Sequence, residues 1–297
     1  MSTWTPGPHR LPGQLPSIEE LLDKTPYELV RKLGAGGIGE VHVVRARAFH
    51  RHFALKVLHP HFAARPSFVS RMRREAKAMG QLQHRHVVEI IDFWIPEDGR
   101  PCIVMELLHG RNLADELLLR RPFPPEEAVE WACQALDALH AAHELGLVHR
   151  DLKLENLYLH QPVAVPGRIL KVLDFGFVQM IDAGWHGPVS LRTQSGTVLG
   201  TRRFMSPEQA RGEQVDRRTD LFALGAVLYT MLTGRGPLDT GEEPFLPSRL
   251  ARGIPPALDA VVMRAIQTER EERYDTAQAM RDELQALAPD LPSTSAR

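Results

Sequence analysis

The chain has 297 residues with 36 Lys and Arg against 37 Asp and Glu, a formal net charge of −1. That balance gives no electrostatic case for nucleic acid or an anionic membrane surface. Only two cysteines occur, Cys102 and Cys133, far apart and without metal spacing, which argues against a disulfide framework or zinc site and for a reducing cytoplasmic setting.

Residues 1–16 carry Pro6, Pro8, Pro12 and Pro16 and no apolar targeting run, and read as a flexible leader. Ser17-Ile18-Glu19-Glu20 is a capping-box pattern. With Ile18, Leu21 and Leu22 on one stripe it predicts a short helix packed on the small lobe, so that 1–25 is leader plus helix. Residues 27–33 and 40–46 read as paired strands joined by a glycine-rich turn, and 53–58 as a third strand. Residues 65–83 suit a helix with Phe68, Met72, Ala76 and Met79 on one face. Strands are expected at 87–94 and 102–107. After Gly110 the pattern turns helical, at 125–145, 220–233, 257–268 and 276–287. The longest apolar run, about Leu221 to Leu232, starts beside Asp220 and is too short to span a bilayer. The expected class is α+β, with a small antiparallel sheet lobe carrying one main helix over about 26–106. A larger, mostly helical lobe follows over about 107–288, and a tail over 289–297.

The chemistry concentrates in a few strings. His149-Arg150-Asp151-Leu152-Lys153-Leu154-Glu155-Asn156 precedes Asp174-Phe175-Gly176. The first Asp of such a pair can accept a proton from an attacking hydroxyl, while the Asn and the second Asp can hold Mg²⁺ against a triphosphate. Gly34, Gly36 and Gly39 let backbone approach phosphates with no Cβ in the way. A dinucleotide fold would need a helix directly after them, whereas Val41, Val43 and Val44 suit a strand. Lys56 lies between Leu55 and Val57 in an apolar strand. Burying its charge alone is costly, so Glu75 on the next helix is its expected partner. The histidine clusters His59-Pro60-His61 and His84-Arg85-His86 lack the Cys or carboxylate company of a structural metal site.

Leu33 to Val41 matches GxGxxGxV; Phe53-Ala54-Leu55-Lys56, Glu75, HRDLKLEN, DFG, Gly200-Thr201, Ser206-Pro207-Glu208, Asp220 to Gly225 and Arg273 follow in order. In this the chain resembles the protein kinase family, of the bacterial serine/threonine type, over roughly residues 26–288. The resemblance implies the bilobal protein kinase fold and transfer of the γ-phosphoryl group of ATP to protein Ser or Thr. Lys56 would hold the α- and β-phosphates and Glu75 would hold Lys56. Leu33, Val41 and Ala54 would line the adenine site. Met105 would stand at its back, with the backbone of Glu106 and Leu107-Leu108 along the adenine edge; Asn112 and Asp115 are alternatives for the ribose. Asp151 would be the catalytic base, and Lys153 would neutralise the γ-phosphate. Asn156 and Asp174 would ligate Mg²⁺, with Mn²⁺ as a substitute. His149, Phe175, Met79 and Ile90 resemble the family's hydrophobic column.

Arg150 marks members whose activation segment is ordered by a phosphate. Thr193 and Ser195 match the paired acceptors, with Lys171 as a further cation. Protein substrates are the expected partners, with no nucleic acid, no membrane segment in this chain, and a homodimer for autophosphorylation in trans. Arg202-Arg203 departs from the family pattern near the substrate flanks; the pair would favour acidic flanks, or one Arg would pair with a nearby carboxylate or phosphate. Ser206 replaces the usual Ala. Residues 238–257 run short, with turn residues that oppose a full helix. Two other readings stay open. One is an ATP-binding pseudokinase or scaffold, whose usual mark is loss of Lys, Asp or DFG Asp. The other is a small-molecule kinase of the same fold, against which the Gly-Thr…Ser-Pro-Glu segment speaks.

Overall fold

The computed structural model describes residues 15–36, 39–60, 80–120, 122–162, 166–175, 203–237, 239 and 244–291. The chain divides into two compact units, Met1–Val69 with Ile91–Leu107, and Ser70–Ile90 with Leu108–Arg297.

The first unit is built on a five-stranded sheet of order β1-β2-β3-β5-β4. Its strands are β1 (Tyr27–Ala35), β2 (Gly39–Ala46), β3 (His52–Leu58), β4 (Ile90–Trp94) and β5 (Cys102–Glu106). The pairs β1–β2, β2–β3 and β3–β5 are antiparallel. Phe53 to Leu58 is buried throughout, as an apolar run broken only by Lys56 demands of a central strand. Helix α1 (Ile18–Leu22) has five residues, too few to be stable alone. Two features hold it. Its capping box is complete, Glu20 N–H donating to Ser17 Oγ at 3.2 Å and Ser17 N–H to Glu20 Oε2 at 2.7 Å. Leu21 and Leu22 also enter the core formed by Tyr27, Val44, Phe53, Leu55, Val57, Cys102 and Val104. The short packed helix expected from the capping pattern is thus present.

The second unit holds α2 (Leu113–Leu119), α3 (Pro125–Glu144), α4 (Pro207–Ala210), α5 (Arg218–Thr233), α6 (Pro247–Leu250), α7 (Pro256–Ala265) and α8 (Ala277–Leu287). A small sheet of order β6-β7-β8 joins β6 (Gly110–Asn112), β7 (Leu157–His160) and β8 (Ile169–Val172). Helix α5 is buried on every side from Thr219 to Leu232, which is how a helix apolar all round must be accommodated. It stops at Gly234, in the left-handed region at φ 74°, whose N–H donates to Thr230 O at 2.8 Å. Ala132, Ala135, Leu136 and Leu139 of α3 belong to the same core as Leu221, Leu224 and Leu228; each leucine so buried contributes roughly 1.5–3 kcal/mol. Between 239 and 256 the one helix among the described residues is α6, four residues long.

The apolar run 87–94 does not form one strand. β4 starts only at Ile90, while Val87 bridges Val172 of β8 in parallel. Val88 N–H donates to Val172 O at 3.0 Å and Val172 N–H to His86 O at 2.8 Å. The helix expected at 65–83 lies mostly outside the described residues; the described part, 80–83, is a turn at 80–81 followed by irregular chain. Among the described residues no helix is long and apolar enough to cross a membrane.

Candidate active site

In the second unit the loop between α3 and β7 carries Asp151. Its shape follows from alternation, since Leu152 and Leu154 are buried while Asp151 and Lys153 are not. Lys153 Nζ donates to Asp151 Oδ2 at 2.8 Å. Asn156 Nδ2 donates to Asp151 O at 2.7 Å and reaches Asp151 Oδ2 at 3.4 Å. Both side-chain contacts fall on Oδ2, so neither Lys153 nor Asn156 occupies Oδ1. With its amide nitrogen committed to Asp151, Asn156 offers its amide oxygen, the atom a hard cation takes.

Asp220, at the start of α5, organises this loop from beneath. It is fully buried and accepts from His149 N–H, Arg150 N–H and His143 Nε2, each at 2.8 Å. A carboxylate buried without such donors would be prohibitively costly. His149 accepts from Asp151 N–H at Nδ1 (3.2 Å) and donates from Nε2 to Leu173 O (2.8 Å), which requires the tautomer with the proton on Nε2. Its ring packs on Phe175 with centroids 4.7 Å apart. Asp174 and Arg150 both sit in the left-handed region, at φ 58° and 65°. Non-glycine residues held there cost on the order of 1–3 kcal/mol and cluster at functional sites.

In the first unit Lys56 is buried on β3, opposite Val41 of β2 and Ile103 of β5. Ala54 is opposite Met105. Gly39 packs where a Cβ would lie 2.2 Å from Val57 O. At Gly34 and Gly36 a Cβ would meet nothing within 4 Å among the described residues. Gly36 N–H donates to Gly39 O at 2.8 Å, and His59 Nε2 donates to Gly36 O at 2.9 Å. Leu33 is exposed, Met105 and Glu106 are half-buried, and Leu108 belongs to the second unit. Asn112 caps α2, its Oδ1 accepting from Asp115 N–H at 2.8 Å. Glu75, Thr193, Ser195, Thr201 and Arg202 lie outside the described residues.

The segment Ser206-Pro207-Glu208-Gln209 opens α4. Arg273 grips Glu208 with two contacts of 2.8 Å, and Thr219 Oγ1 donates to Glu208 at 2.7 Å. Burial by itself would raise the Glu208 carboxyl. The Arg273 hydrogen bonds, the backbone and Thr219 donors and the Arg273 charge together outweigh it and hold it at about 2. Of the two arginines noted before this segment, Arg203 pairs with Asp239 at 2.9 Å, so the carboxylate-pairing alternative is the one realised there. Lys171 is buried and donates to Val87 O at 3.2 Å, which ties it to the β8 bridge. The residues that the motif order did not single out are Gln209, His143 and His59. Only Gln209 had a local signal, the Ser-x-x-Gln capping pattern.

A family profile described as the protein kinase domain matches residues 27–289. The chain is 39% identical over 285 residues to serine/threonine-protein kinase PknB of Mycolicibacterium smegmatis, covering 90% of this chain and 44% of that one. It is 36% identical over 289 residues to serine/threonine-protein kinase pkn3 of Myxococcus xanthus, covering 92% and 52%. Among solved structures, the PknI kinase domain of Mycobacterium tuberculosis superposes with a TM-score of 0.70 at 27% identity, covering 88% of this chain and 96% of that one. The chain belongs to the protein kinase domain family. It spans about half, or less, of the length of these curated relatives.

Proposed function

We propose that the chain is a serine/threonine protein kinase domain that transfers the γ-phosphoryl group of ATP to Ser or Thr hydroxyls of protein substrates. The observation that carries this reading is the Asp151–Lys153–Asn156 cluster, hung from buried Asp220. Asp151 Oδ1 takes the hydroxyl proton as the new O–P bond forms and the bond from the γ-phosphorus to its bridging oxygen breaks. Lys153 sets a positive charge beside the base, where negative charge gathers on the transferring group. Asn156 and Asp174 supply hard oxygen donors suited to Mg²⁺, which when bound neutralises phosphate charge. Lys56, with Glu75 as its partner, and the backbone at Gly34 and Gly36 serve the phosphates. Leu33, Val41, Ala54, Met105, Glu106 and Leu108 serve the base. The usual mark of a pseudokinase is loss of one of Lys56, Asp151 or Asp174, and all three are present.

Asp151→Asn should keep ATP binding and lose at least about 10²–10³-fold in transfer, because positioned charge carries this chemistry. Autophosphorylation of the purified variant at the wild-type rate would sink the assignment.

The domain acts in the cytoplasm on this reading, in keeping with two buried free thiols, Cys102 and Cys133, each pushed by burial to about 12 and so unreactive. Activation follows phosphorylation of Thr193 or Ser195, with copies phosphorylating one another, a reading supported by Arg150 before the catalytic Asp. Replacing both acceptors by Ala should lower activity and leave ATP affinity unchanged. An active enzyme with no phosphate between Asp174 and Glu208 by mass spectrometry would refute it.

A further inference from the structure

We propose that Gln209 is a positioning residue for phosphoryl transfer, its single carboxamide tying the strained backbone of Arg150 to the anchored start of α4; the proposal rests on the kinase reading above. Gln209 is the third residue of α4, and its Oε1 accepts from Ser206 N–H at 3.2 Å, closing a capping box. Ser206 Oγ also donates to that Oε1 at 3.2 Å. Its Nε2 donates to Arg150 O at 2.7 Å. The partners themselves dictate which way the amide points. A backbone N–H must meet the oxygen and a backbone carbonyl must meet the nitrogen.

Arg150 is thereby held at both backbone polar atoms. Its N–H goes to Asp220 Oδ1 at 2.8 Å and its carbonyl takes the Gln209 amide. A left-handed non-glycine residue persists only where its surroundings over-determine it, and these two contacts supply that from two different helices. The α4 end is itself rigid. Ser206 and Glu208 are buried, Ser206 Oγ lies 3.3 Å from Thr219 Oγ1, and Glu208 is gripped by Arg273. Arg150 directly precedes Asp151, so the carboxamide transmits the position of a fixed anchor to the catalytic base.

A merely structural cap at this position would accept Glu as readily as Gln, since both complete the box. A positioning role would not. A glutamate keeps an oxygen for Ser206 N–H but turns a second acceptor on the Arg150 carbonyl, which repels it. Displacement of a reacting group by about 1 Å can cost on the order of 10²-fold.

The test compares wild type, Gln209→Glu and Gln209→Ala, with casein as the protein substrate. The readouts are kcat, KM for ATP and melting temperature, each across pH. Gln209→Glu should melt within about 2 °C of wild type, on the scale of a sub-kcal/mol change. It should keep its KM for ATP and lose roughly 10- to 100-fold in kcat. Its deficit should shrink as pH falls, because a protonated carboxyl can donate to the Arg150 carbonyl as the amide did. Gln209→Ala should lose both kcat and melting temperature, having neither contact. Wild-type kcat in Gln209→Glu, or losses of kcat that track losses of melting temperature in both variants, would overturn the proposal alone. Absence of transfer by wild-type protein would overturn the kinase reading and this inference with it.

Discussion

Gly34, Gly36 and Gly39, at and around the β1–β2 turn, serve two different ends. A methyl group at Gly39 would overlap Val57 O at 2.2 Å and approach Leu58 Cα at 2.9 Å, so this glycine is demanded by the β2–β3 pairing. At Gly34 and Gly36 the added carbon meets no atom of the described residues within 4 Å, so the penalty expected there falls on a ligand. Gly39→Ala should therefore destabilise the domain by roughly 1–3 kcal/mol through overpacking. Gly34→Ala and Gly36→Ala should leave the melting temperature in place and raise KM for ATP. Thermal denaturation beside ATP kinetics checks this; a Gly34→Ala variant that melts as low as Gly39→Ala would show the division to be wrong. The motif string placed all three residues but could not distinguish them, because the obstacle at Gly39 is backbone from another strand. Arg203 gives the same lesson. Its sequence neighbours say only that it is a charge, and its pairing with Asp239 is a long-range event.

At the scale of elements, α4 is the clearest case of a helix made by its surroundings. Four residues cannot form a stable helix alone, and the buried set of Glu208, Thr219 and Arg273 locks it to α5 and the 267–273 turn. The sign of the pH effect follows from the Glu208 carboxyl, which titrates at about 2 when folded against an ordinary 4.5. Between those values the unfolded chain binds more protons than the folded one, so stability rises with pH across the window. The contribution is complete above about pH 4.5 and lost as pH falls toward 2, and amounts to on the order of 3 kcal/mol. Glu208→Gln should flatten the stability slope in that window, read as urea midpoints at a series of pH values. An unchanged slope would mean that the Arg273 contacts do not favour the charged carboxylate. Elements with strong patterns, such as α3, α5 and β3, were readable from their own apolar runs and lengths. The run 87–94 was not, because alternation of apolar residues shows that a segment pairs but not with which sheet.

At the scale of the whole molecule there are two compact units with separate apolar clusters. The small one recruits α1 from the segment before the first strand, with Arg100 donating to Pro16 O at 2.6 Å. The large one is organised around α5, whose buried Asp220 turns the same helix into the support of the Asp151 loop. The sequence placed Asp220 at the head of an apolar run, in a string that resembles the family's buried helix, but showed none of its partners. Its three-donor role depends on residues about 70 positions away.

The family and the elements with strong patterns were legible in the chain itself, as were the motif strings from which the phosphoryl chemistry is proposed. Those rest on local patterns, on spacing within single loops, and on residue types that few other tasks require. How those residues are held was settled only by the tertiary fold. It set Arg150 and Asp174 at positive φ, gave Asp220 its donors, and fastened Gln209 to the Arg150 carbonyl. The reason is physical: a buried polar group must find its partners wherever the fold brings them, and for these residues the partners lie on other elements, so no pattern within their own segment records them.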